Sequence, residues 1–85
     1  MELLRREESV QTRTDLAGFV DALREDLHTS DDDSWENPTL ERYLEALSAW
    51  IRDMPGYFKN QGIAEPREPS WGLVAKILHA AKIYE

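Results

Sequence analysis

The chain of 85 residues has no cysteine. Disulfides, thiolate metal sites and cysteine nucleophiles are therefore all excluded. A reducing compartment suits it, and a cytoplasmic location is expected. Histidine is nearly as scarce. His28 and His79 lack the H-x-x-x-H spacing of a structural zinc site. Gly18, Gly56, Gly62 and Gly72 are isolated, so no glycine-rich loop can cradle phosphate. No apolar run approaches the length of a membrane span. The N-terminal Met1–Glu8 stretch shows neither the basic start nor the cleavage site of a secretory signal. Positive charge is the last shortage. Ten Lys and Arg stand against 17 Asp and Glu, for a net charge of −7. That balance disfavours nucleic acid and anionic lipid as partners and favours a basic protein.

What remains is enough to fold. Hydrophobic residues make up 41% and include three Trp, three Tyr and two Phe, which argues against disorder throughout. The length allows one domain with a real core, but not a deep cleft holding a buried catalytic set. Residues 1–12 read as a charged, frayed arm and residues 13–85 as a single helical domain. Leu16, Phe19, Val20, Leu23 and Leu27 recur at the three-four spacing of one buried stripe, predicting a first helix capped by Thr12 or Thr14. A second helix is expected from an Asn37 cap and Pro38 in the first turn, through Leu40, Tyr43, Leu44, Leu47, Trp50, Ile51 and Met54, to a stop at Pro55-Gly56. Ser70 caps a third, running to about Tyr84. Trp71, Val74, Ala75, Leu78 and Ala81 form one of its faces; Leu73, Ile77, Ala80 and Tyr84 form the other. The expected fold is an all-α, small three-helix bundle with irregular connecting loops.

The segment Asp31-Asp32-Asp33-Ser34-Trp35-Glu36 sets an acidic run against a large aromatic. With Asp26, these residues are what a basic surface would need: charges for encounter and an anchor for residence. Asp26, Asp31, Asp32, Asp33, Trp35 and Glu36 are the candidate protein-binding residues. The plainer reading is that the acids keep a loop wet while Trp35 packs beneath the second helix. A calcium loop fails beyond Asp31-x-Asp33, because Glu36 stands where the sharp-turn glycine belongs and Arg42 where the closing glutamate belongs. No nucleophile elbow surrounds Ser30 or Ser34. His28 suits a helix C-terminus, where a cation is favourable. No enzymatic activity, metal or cofactor is expected.

Trp50, in phase with Leu47 and Met54, is assigned to the core, and Trp71 to locking the 56–69 connector. The segments WENPTLERYLEALSAW (35–50) and SWGLVAKILHAAKIYE (70–85) resemble a family of short uncharacterised bacterial helical proteins. The resemblance covers about residues 12–85. It carries no activity or ligand over to particular residues, and implies a complete small protein rather than a piece of an enzyme. The functional expectation is a small acidic non-catalytic protein-binding domain, of inhibitor or immunity type, for a basic partner. The alternatives are a homo-oligomerising scaffold module, as a weak homodimer through the second apolar face of the last helix, and a small-molecule-binding or metal-dependent enzyme using His28 or His79.

Overall fold

The computed structural model describes residues 2–29 and 34–84. They form four helices and, among the described residues, no strand: α1 (Glu2–Glu8), α2 (Arg13–Thr29), α3 (Leu40–Gln61) and α4 (Trp71–Ala81). The all-α expectation holds, but the three-helix bundle is corrected to four helices. The additional helix, α1, is seven residues long and five of them are charged. Such a segment is marginal in isolation and shows no sustained apolar stripe. Tertiary packing holds it: Leu3 is buried in one core cluster with Val10, Phe19, Leu23 and Ala75.

Local chemistry sets most boundaries. Thr12 accepts the Asp15 N–H through Oγ1, and Asp15 accepts the Gln11 N–H in return, so α2 begins on a near-reciprocal cap. Ser70 caps α4 by accepting the Leu73 N–H, as expected. The start of α3 differs. Thr39, not Asn37, is its cap and accepts the Arg42 N–H. Its end differs as well, because α3 runs through Pro55 and Gly56 for five further residues. Proline there removes one backbone bond, but the turns beyond carry Tyr57 and Phe58. Phe58 is buried and Tyr57 packs 5.4 Å from the Trp50 ring, so aromatic burial outweighs the breaker. The actual stop is Gly62. At φ 70° it closes the helix while Ile63 N–H reaches back to Phe58 O.

Helix α4 is central. It packs against α1, α2 and α3, and α1 also touches α2, whereas α2 and α3 do not pack on each other. Both faces of α4 are accordingly covered, with Leu73, Ala75 and Ala81 buried and only Trp71 of its residues exposed. Trp50 is core, as its phase predicted. Trp71 is 44% exposed and does not lock the connector, whose residues 64–69 are all exposed. No helix among the described residues is long and apolar enough to cross a membrane.

Candidate functional site

The failure of α2 and α3 to meet leaves an open groove of about 440 Å³ between them. Val20, Leu23 and Leu27 line it from α2, Leu40 and Tyr43 from α3, and Leu78 of α4 forms part of the floor with Trp35. Its rims are apolar and in water: Val20 is 44% exposed, Leu27 38% and Leu40 74%, with Leu44 beside them at 51%. The same stripes that build the helices thus overrun the core. Val20 and Leu27 on α2, and Leu40, Leu44 and Ile51 on α3, stand beside the faces that α4 covers and are left exposed.

One ion-pair cluster fixes the α2 wall, and a second ties α1 to α4. On the α2 side, Lys82 Nζ lies 2.8 Å from Asp26 Oδ2, and Trp35 Nε1 donates to that same oxygen at 2.7 Å. Lys82 is itself buried and sits 5.5 Å from the Trp35 ring centroid. The lysine hydrogen bond is the main cause holding the Asp26 carboxyl below its ordinary value, against a smaller opposing effect of burial and helped by the indole N–H. On the α1 side, the buried Glu7 carboxylate receives Lys76 Nζ at 2.7 Å and contacts His79 Nδ1 at 2.8 Å. Burial pushes Glu7 up most strongly, but hydrogen bonds and charge from His79 and Lys76 together bring it below its ordinary value. Lys76 is held above its own ordinary value by Glu7, burial opposing.

Arg24 lines the α2 wall, while the groove's Asn37 and Tyr43 are already committed to the fold. Asn37 Nδ2 donates to Ala81 O at 3.0 Å and Tyr84 O at 2.8 Å, while its own N–H reaches Lys82 O. Asn37 therefore closes the C-terminus of α4, not the start of α3, and its burial follows from those orphan carbonyls. The Tyr43 hydroxyl donates to Leu78 O at 2.7 Å, and burial raises its pKa. Among the described residues, every buried side-chain nitrogen and oxygen has a partner. No three metal-ligating side chains converge among them.

Of the residues singled out from sequence, Asp26 and Trp35 are brought together, and Glu36 is exposed next to them. Asp31, Asp32 and Asp33 lie outside the described residues. His28 stands in the last turn of α2. Sequence reasoning missed the groove as a place, although it named Leu27, Leu40 and Tyr43. It missed Glu7, Lys76 and His79 as a set, because Glu7 is 69 and 72 residues from its partners. A second cleft, of about 650 Å³, lies where Val10 and Gln11 face Pro69–Gly72. Its Ser70 hydroxyl is spent on the α4 cap, and the connector beside it is wholly exposed.

A family model described as "Family of unknown function (DUF7660)" matches residues 12–85, a span that begins after α1. No curated protein and no solved structure matches the chain.

Proposed function

We propose that this chain, which belongs to the DUF7660 family of unknown function, is a non-catalytic binding domain for a basic protein, working through the groove between α2 and α3. The observation that carries the reading is the groove itself, with apolar rims exposed on two helices that never meet. A small-molecule site needs a few free polar groups to orient its ligand. Here Asn37, Tyr43 and Trp35 have given theirs to the fold. A surface of this kind suits apolar side chains of a protein, with charge deciding which protein.

The charge is acidic. Residues 1–34 hold ten acids against four bases, and Asp21, Glu41 and Glu45 are exposed on α2 and α3 themselves. Such a field speeds the encounter with a basic partner, while burial of Leu27 and Leu40 gives the complex its lifetime. Covering the positive cleft of an enzyme is the form of binding that this charge favours, and a cytoplasmic setting accords with it. Asp26 and Trp35 serve by holding the groove wall, whereas Asp31, Asp32, Asp33 and Glu36 supply the steering charge.

The test is affinity capture with the full chain, Leu40→Glu, and the triple Asp31, Asp32, Asp33→Asn variant, followed by purification of the retained protein. The expected result is a basic protein whose affinity for Leu40→Glu is at least tenfold weaker. The triple variant should slow association and flatten its salt dependence. Equal affinity for all three baits would refute the reading.

A further inference from the structure

We infer that the occupant of the groove is a single amphipathic α-helix with about two turns in contact, basic along the flank that faces α3, supplied by the partner and lying between α2 and α3. The inference rests on the groove reading above and specifies what fills it.

Backbone chemistry selects the helix. Both walls are α-helices whose amides and carbonyls bond within their own ladders, so the groove offers no sheet edge to an incoming chain. An extended segment laid there would bury its N–H and C=O groups with nothing to receive them. Asn37, Tyr43 and Trp35 cannot help, being already bonded to Ala81 and Tyr84, Leu78, and Asp26, and Arg24 alone could serve carbonyls but no N–H group. A helix satisfies its own backbone and presents only side chains. The dimensions agree. The α2 wall from Val20 to Leu27 extends over roughly 10 Å at the helical rise, which is two turns.

Charge selects its flanks. The 3.6-residue repeat sets Glu41 and Glu45 one row outside Leu40 and Leu44 on the α3 side, both exposed. A helix seated on the apolar rows brings its flanking positions beside these carboxylates, where Lys or Arg is favoured. Arg24 lines the α2 wall as a single cation and favours one acid on the helix opposite it. A second copy of this chain would instead set Glu41 and Glu45 against like charge, each copy carrying −7.

The test is an amide NMR titration of the full chain with three synthetic peptides of about 15 residues, near the lower limit for helix formation. One carries Leu at three-four spacing among Lys. One has the same composition in strict alternation, and one keeps the helical spacing with Glu for Lys. The first should shift Val20, Leu27, Leu40 and Leu78, and bind at least tenfold more weakly to Leu27→Glu and Leu40→Glu. Equal binding of the alternating peptide in the groove would overturn the helix; equal binding of the Glu peptide would overturn the basic flank. In both cases the groove reading would survive. No shift of groove residues with any peptide would overturn the inference. If the natural partner also bound Leu40→Glu normally, the groove reading would fall with it. Concentration-dependent dimerisation abolished by Leu40→Glu would assign the groove to a second copy and overturn the inference.

Discussion

Trp35 donates its indole N–H to Asp26 at 2.7 Å, and the same carboxylate oxygen receives the buried ammonium of Lys82. The bond decides what the tryptophan can offer. Its polar edge belongs to the fold, and only its ring is left for the groove, where it lies 6.1 Å from the Tyr43 ring. Asp26 is likewise a wall residue with an internal partner. Two residues that sequence assigned to one binding patch are neighbours, but joined to each other and to α4.

Removal of the anion from this cluster costs more than removal of the cation. Asp26→Asn leaves Lys82, 8% exposed, without a counter-charge, and should cost about 2 kcal/mol. Lys82→Met leaves a carboxylate that is 24% exposed and still bonded to Trp35, and should cost about 1 kcal/mol or less. Urea denaturation of both variants checks the order, and a costlier Lys82→Met would contradict it.

Acid should destabilise the protein from the top of the carboxylate range downward. Glu7 and Asp26 both have folded pKa values below their ordinary 4.5 and 3.8. Their contributions are therefore present above those ordinary values and are lost as pH falls through the lower, folded ones. Lys76, raised above 10.5, behaves oppositely: its contribution is complete below that value and lost only as pH climbs past it. Urea unfolding followed from neutral pH to about pH 2.5 should show the acid loss, and Glu7→Gln should remove part of it. A profile unchanged by that substitution would show that the Glu7 cluster contributes nothing.

The middle of α3 can be improved. A methyl group at Gly56 meets nothing within 4 Å, so Gly56→Ala should stabilise by about 0.5–1 kcal/mol. Pro55→Ala restores a donor for the Ile51 carbonyl and should stabilise by on the order of 1–3 kcal/mol. Gly62 is the opposite case. Its φ of 70° makes Gly62→Ala destabilising by about 1 kcal/mol. Thermal melts of the three variants should place Gly62→Ala below the parent and the other two above it.

Asn37 carries the end of α4. Replacing it with Ala strips donors from the Ala81 and Tyr84 carbonyls and should cost about 2 kcal/mol. Asn37→Asp should cost more, because a carboxylate would then face both oxygens. Chemical denaturation of the pair checks the ranking, and equal stability would contradict it.

What the sequence made legible follows from the range of each interaction. The α2 helix and the Ser70 cap are local patterns and were legible, but of the stripe read as buried only Phe19 and Leu23 are buried, while Val20 and Leu27 are exposed. The Pro55-Gly56 stop failed because Phe58 and Tyr57 bury beyond it, a tertiary effect with no local signature. Asn37 before Pro38 carries a cap signature, and only the folded chain shows its amide 44 residues away on Ala81. The groove was hidden for a related reason. Leu27 and Leu40 fit the apolar phase of their helices, and periodicity does not distinguish a residue facing α4 from one on its rim. Only the separation of α2 from α3 makes that distinction.

The central claim is that the groove is where the partner sits, and position-specific photocrosslinking in the native cell tests it most directly. A benzophenone side chain at position 40 is compared with one at position 4 on α1 and one at position 63 in the connector, where the native residues are 74%, 51% and 57% exposed. The account predicts a crosslink to one basic protein from position 40 and none from the other two. Crosslinks from position 4 or 63 with none from position 40 would contradict it.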